Sequence, residues 1–149
     1  MLKIKKYGAI DIGSNAVRLL VSNVIEVEGQ PTRFKKSSLV RVPIRLGADV
    51  FLKGEIGKGN TKRMLDTMQA FKLLMKSHKV VKYKACATSA MREANNGEAV
   101  ANLIYEHTGL KIDIIEGEEE AAIIAATDLH TFIDNNKTCL LYTSPSPRD

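Results

Sequence analysis

The sequence predicts an α/β fold in which helices pack on one mixed sheet. Two observations carry this. Three extended runs follow one another within the first 46 residues, separated only by short turns. From about residue 60 onward, helical and extended periodicities alternate. A strand meander followed by strand–helix alternation leaves helices in place to cover a sheet.

Each element has its own reason. Tyr7 to Ile12 is a short apolar run that stops at Gly13-Ser14-Asn15. Ala16 to Val27 is rich in β-branched residues and alternates, with Val17, Leu19, Val21 and Ile25 on one face. So short a gap between the two runs implies an antiparallel hairpin. Glu28-Gly29-Gln30-Pro31 is a further turn, and Thr32 to Leu46 a third extended stretch. A glycine-rich connection (Gly47, Gly54, Gly57, Gly59) leads to a helix with Asn60 as N-cap. Met64, Met68, Phe71 and Met75 then form one apolar stripe, which reads as core rather than as a methionine-lined binding patch. Val80 to Ala87 is a strand. Asn96 caps a helix that stops at Gly109, Leu110 to Ile115 is a strand, and Glu118 to Phe132 is a last helix. The expected order is β-β-β-α-β-α-β-α.

Composition narrows the function classes. With 149 residues the chain makes one ordinary domain or half of a two-lobed protein. Hydrophobic residues at 44% and charged residues at 26% are a globular balance. No apolar run reaches the roughly 18 residues of a membrane span, and the start lacks a signal-peptide core, so no membrane partner is expected. Two cysteines, Cys86 and Cys139, make no disulfide framework, and no Cys or His pair has zinc spacing. A reduced, cytoplasmic location is the default expectation. Cys86 reads as a buried apolar residue, and His78, His107 and His130 receive no role. Aromatic residues at 5% and the absence of tryptophan make a base-stacking nucleic-acid binder unlike this chain. Charge is uneven: residues 1–63 carry 13 Lys/Arg against 5 Asp/Glu, and residues 64–149 carry 9 against 12. A basic half attracts polyanions, or is simply a solvated lysine-rich face.

Three loops carry candidate chemistry. In Asp11-Ile12-Gly13-Ser14-Asn15, glycine permits positive φ and close approach, and Ser14 and Asn15 add donors for an anion. Asp11 repels phosphate but could hold a divalent cation that binds it, usually through water. The same residues also suit an ordinary hairpin turn. Ala87-Thr88-Ser89-Ala90-Met91-Arg92 brings two hydroxyls and a guanidinium to the start of a helix, where anions are favoured. It also suits a capping turn with a solvated arginine. Ile115-Glu116-Gly117-Glu118-Glu119-Glu120-Ala121 crowds four carboxylates into five residues. They complement a helix dipole, or one of them turns into a cleft as a proton acceptor. All three loops follow strands, and loops at one end of a sheet can share a cleft. Two anion cradles beside a carboxylate would order a phosphate chain and deprotonate a water.

Gly8-Ala-Ile-Asp-Ile-Gly-Ser-Asn15, Ala87-Thr-Ser-Ala-Met-Arg92 and Ile114-Ile-Glu-Gly-Glu-Glu-Glu-Ala121, in this order and spacing, closely resemble the Ppx/GppA family. These are exopolyphosphatases and guanosine pentaphosphate phosphohydrolases. The resemblance runs from about residue 7 to about residue 133. It implies the first lobe of a two-lobed, ribonuclease-H-like protein of the actin, sugar-kinase and heat-shock-chaperone ATPase superfamily. It implies phosphate binding by Gly13, Ser14, Asn15, Thr88, Ser89 and Arg92, and water activation by Glu120. Glu119 stands next to it as the alternative base and as a candidate metal ligand beside Asp11. It also implies Mg2+ as cofactor, polyphosphate or guanosine pentaphosphate as substrate, and a homodimer when the protein is full length.

The family pattern breaks near the end. Residues 1–136 match the first lobe, and 137–142 begin the strand that opens the second. Its expected Asp-x-Gly-Gly-Gly-Ser-Thr-Glu loop is replaced by Thr143-Ser-Pro-Ser-Pro-Arg-Asp149, which reads as a non-native tail. The expectation is a fragment inactive on its own. Two other readings stay open: a kinase or ATPase of the same superfamily, and a non-catalytic sensor that binds polyanions.

Overall fold

The computed structural model describes residues 2–116. Their elements are β1 (Leu2–Ile12), β2 (Ala16–Val27), β3 (Arg33–Pro43), α1 (Leu46–Lys53), α2 (Lys58–Ser77), β4 (Lys82–Ala87), α3 (Ser89–Glu93), α4 (Gly97–Thr108) and β5 (Asp113–Ile114). The strands form one sheet in the order β3-β2-β1-β4-β5. The first three are antiparallel neighbours, and β4 and β5 run parallel to β1. This is the mixed sheet the sequence pattern predicts, in the ribonuclease-H-like arrangement that the family resemblance implies. Among the described residues, no helix is long and apolar enough to cross a membrane.

The methionine stripe is core. Met64, Met68, Phe71 and Met75 are buried on α2 and share a cluster with Ile10, Ile12, Val17, Leu19 and Val21 of the sheet. Burying such a side chain contributes about 1.5–3 kcal/mol, so this layer fixes α2 across β1 and β2. Side chains alternate faces along a strand. Ala9, Leu20, Val24 and Cys86 are therefore buried on the opposite face. The burial expected for Cys86 is observed.

The structure departs from the sequence expectation in five places. β1 begins five residues before Tyr7, because its ladder with β2 continues out to Leu2↔Val27. Leu2 to Lys5 are all exposed there, and a stretch so short and lysine-rich gives no apolar run to read as a buried strand. The third strand ends at Pro43, and Leu46 starts a helix, α1, inside the supposed glycine-rich connection. Gly54, at φ 73°, closes that helix instead of prolonging a loop. α2 starts at Lys58 with Gly57 as N-cap, not at Asn60. The Asp49 carboxylate accepts from the Gly57 N–H (2.8 Å) and from the Asn60 amide (3.0 Å), which draws the helix start one turn back. β4 and β5 are shorter than their apolar runs, because Val80, Leu110 and Ile112 pack in the core without extending the ladder. The helix expected at Glu118 to Phe132, the strand start at 137–142 and the tail at 143–149 lie outside the described residues.

Asn96 is the N-cap of α4, as expected, yet its side chain makes no capping hydrogen bond. It accepts from Ile56 N–H (2.8 Å) and donates to Ile56 C=O (2.9 Å), holding the α1–α2 connection like a short strand pair. Asn95 N–H to Gly54 C=O (2.8 Å) adds a third tie. Replacing Asn96 with alanine strands both backbone groups of buried Ile56 and is expected to cost about 1–3 kcal/mol. Urea unfolding should show a lower midpoint with unchanged slope. Gly109, at φ 78°, ends α4 as expected.

Candidate phosphate site

The β1–β2 turn is built by a close approach. Gly13 N–H donates to Ala16 C=O at 3.0 Å, and a Cβ on Gly13 would sit 3.2 Å from that oxygen. Gly13 has no positive φ, so the conformational freedom expected of it is not what the turn uses. Space is what it uses. Ser14 is then gripped from the side: its C=O accepts from Gly47 N–H at 2.9 Å, and a Cβ on Gly47 would lie 3.1 Å from the Ser14 Cβ. Gly47 is a site-shaping residue that sequence reasoning missed. Its signal, a glycine just after a strand, was indistinguishable from a flexible connection.

The second loop joins the first directly. Ser14 Oγ and Ser89 Oγ are 3.0 Å apart, although 75 positions separate them in sequence. The parallel pairing of β1 with β4 sets this up by placing Ile12 beside Ala87. Thr88 N–H then donates to Ile12 C=O at 3.1 Å, and the Thr88 hydroxyl reaches the same oxygen at 3.5 Å. Thr88 is buried, so it fastens the two loops together instead of presenting a hydroxyl outward. Ser89 opens α3, which has only five residues. Such a helix carries little dipole, so the anion preference expected of a helix start is weak here.

The third loop begins beside the second. Ile115 N–H donates to Ala87 C=O at 3.0 Å, and Arg92 Nη1 donates to Ile115 C=O at 2.9 Å. Arg92 is half-buried. One of its five N–H donors is thus spent on the backbone that leads into the acidic segment. Glu116 is exposed, and Glu119 and Glu120 lie outside the described residues.

Asp11 is not part of the turn. It sits within β1, paired with Arg18 of β2 on one side and Cys86 of β4 on the other. Alternation puts it on the sheet face opposite Ile10 and Ile12. Lys84 and Asp113 form an ion pair at 2.7 Å on neighbouring strands. Among the described residues, no three His, Cys, Asp or Glu side chains cluster as a metal cage. Mg2+ needs no such cage, since one or two carboxylates plus substrate phosphates are its usual donor set. Asp11 alone fits that set only as the single protein carboxylate.

Of the residues singled out by sequence, Gly13, Ser14, Asn15, Thr88, Ser89 and Arg92 therefore share one end of the sheet. Ser14 and Ser89 touch. Asn15 is exposed at the tip of its turn. The two hydroxyls can each donate or accept, and an arginine stands nearby on α3. That set suits the tetrahedral oxygens of a phosphate group.

The model of the Ppx/GppA phosphatase family matches residues 29–141. The chain is 30% identical to exopolyphosphatase 1 of Mycobacterium tuberculosis over 118 residues, covering 79% of this chain and 33% of that protein. It is 30% identical to a guanosine-5'-triphosphate,3'-diphosphate pyrophosphatase of Photobacterium profundum over 125 residues, 84% of this chain and 24% of that protein. The crystal structure of the Ppx/GppA family member of Aquifex aeolicus superposes with a TM-score of 0.74 at 27% identity, over 84% of this chain and 40% of that one. The chain thus spans about a third or less of the length of these two relatives. A hairpin turn locked to the end of a parallel neighbour strand, and a family match over residues 29–141, lead to one conclusion: the chain belongs to the Ppx/GppA phosphatase family.

Proposed function

We propose that this chain supplies one wall of a phosphohydrolase cleft that removes terminal phosphate from polyphosphate or guanosine pentaphosphate. The 3.0 Å contact between Ser14 and Ser89 is the observation that supports it most directly. It joins the two loops that resemble the family's phosphate-binding motifs. Gly13, Ser14 and Asn15 hold phosphate oxygens from one side, and Ser89 and Arg92 from the other. Thr88 keeps the loops in register. Asp11 and Glu119 are the candidate ligands of Mg2+, which would neutralise charge on the phosphate chain.

Glu120 accepts a proton from a water placed in line with the terminal phosphorus. The water oxygen forms the new P–O bond, and the bridging P–O bond breaks. The electron pair and negative charge leave with the shortened chain. Positioning and charge stabilisation do most of this work. Residues 1–149 span about a third or less of these relatives' length, and tested on their own they should release little phosphate.

The test is a hybrid in which residues 1–136 replace the matching lobe of the M. tuberculosis exopolyphosphatase 1. The hybrid should release phosphate from long-chain polyphosphate. Arg92→Ala should reduce kcat/KM about 100-fold or more, since it removes a charged donor and frees the Ile115 carbonyl. Arg92→Lys should restore only part of it, because an ammonium lacks the planar fork. Wild-type turnover from Arg92→Ala would end the assignment of this site.

A further inference from the structure

The end of the sheet remote from the phosphate loops is strongly basic and studded with aliphatic side chains. Val81 N–H donates to Lys6 C=O at 2.9 Å, which brings the start of β4 against β1. Two cavities open there. One, of about 410 Å³, is lined by Ile4, Lys5, Lys6 and Lys79 with Val81. The other, of about 640 Å³, shares Val81 and adds Leu73, Lys72, Lys76 and Lys82. No carboxylate lines either cavity. The aliphatic residues are not sunk into them: Ile4 is 57% exposed, Leu73 57% and Val81 66%. Three protruding aliphatics beside six lysines offer an anionic lipid surface both charge and apolar contact, whereas a nucleic-acid backbone would gain nothing from the aliphatics.

We propose that this face docks on an anionic lipid surface. Lysines near such a surface are each held by about fivefold in affinity, and protruding aliphatics enter the headgroup–acyl boundary. The match of charge names the occupant, and the geometry gives docking a consequence. Ile4 lies about 30 Å from Gly13 along the strand direction at ~3.3 Å per residue, and Lys82, beside Tyr7, about 20 Å. The phosphate loops therefore face away from the lipid and stay open to a soluble polyanion. The inference does not depend on the proposed chemistry, and its failure would leave that chemistry untouched.

The chain is mixed with vesicles of phosphatidylcholine and phosphatidylglycerol at 70:30, and with phosphatidylcholine alone, and sedimented. Binding to the anionic vesicles only, falling as salt rises, is expected. K72Q/K76Q/K82Q should weaken it about 100-fold, and L73D/V81D by about tenfold or more. All five positions are exposed, and circular dichroism confirms that the variants fold. Equal pelleting with both lipids, or no pelleting, would overturn the proposal. So would loss of binding in the lysine variant with none in L73D/V81D, or tighter binding to a DNA duplex than to the vesicles. Either marks the face as a plain polyanion site.

Discussion

Gly97→Ala is expected to destabilise the protein by about 3–4 kcal/mol, more than any other single methyl added to a described glycine. A Cβ at Gly97 would lie 1.9 Å from the Met91 carbonyl oxygen and 3.0 Å from its carbon. These are backbone atoms, so no rotamer change relieves the clash. α3 would have to shift as a unit. It is held to the rest of the fold by Thr88 N–H to Ile12 C=O (3.1 Å), the Ser89–Ser14 hydroxyl contact (3.0 Å) and Arg92 Nη1 to Ile115 C=O (2.9 Å). Overpacking at a site that can relax costs about 1–3 kcal/mol, and this one relaxes poorly. A drop of about 10 °C in the melting midpoint is expected. A drop under about 2 °C would show that the α3–α4 junction is more compliant than its contacts imply. Because α3 carries Ser89 and Arg92, a folded Gly97→Ala protein should also bind phosphate less well. Gly8 makes the contrast. A Cβ there would meet Met75 Sδ at 2.8 Å, the far end of a flexible side chain, so Gly8→Ala should cost less.

Glu120→Gln, made in the hybrid described above, should lower kcat about 100- to 10,000-fold with little change in KM. Glutamine keeps the shape and loses the proton acceptor, and a general base contributes about that factor. Glu119→Gln should instead act through the metal, raising the Mg2+ concentration needed for half-maximal rate. The pair of variants separates the two carboxylates. If Glu119→Gln shows the larger kcat loss and Glu120→Gln the metal effect, the roles exchange. If both leave turnover intact, the acidic segment has no part in proton transfer.

Local rules read much of this chain correctly, and their failures share a cause. The methionine stripe, the hairpin turn at Gly13 to Asn15 and the stop at Gly109 were legible. Each rests on a few adjacent residues with a strong conformational or burial preference. α1 was hidden, because its apolar residues Val50, Phe51 and Leu52 are consecutive and form no single stripe, and Phe51 and Leu52 are exposed. Its glycines resemble a loop until the packing of Gly47 on Ser14 is seen. Residue type reads both Asn60 and Asn96 as N-caps; Asn96 does hold that position and Asn60 does not, and neither side chain caps its helix. Their amides go instead to Asp49 and Ile56, partners 11 and 40 positions away that no local pattern reveals.

The same division holds at the site. Motif chemistry singled out Ser14, Ser89 and Arg92 only as candidates, and the order and spacing of the three loops carried the resemblance that makes them candidate phosphate ligands. That Ser14 meets Ser89, that Thr88 turns inward and that Arg92 holds the Ile115 carbonyl was decided by the parallel pairing of β1 with β4. Residue identity follows from the chain, but which strand lies beside which is set by burying one α2 stripe across two strands at once. Only that long-range packing turns separate loops into a single grip.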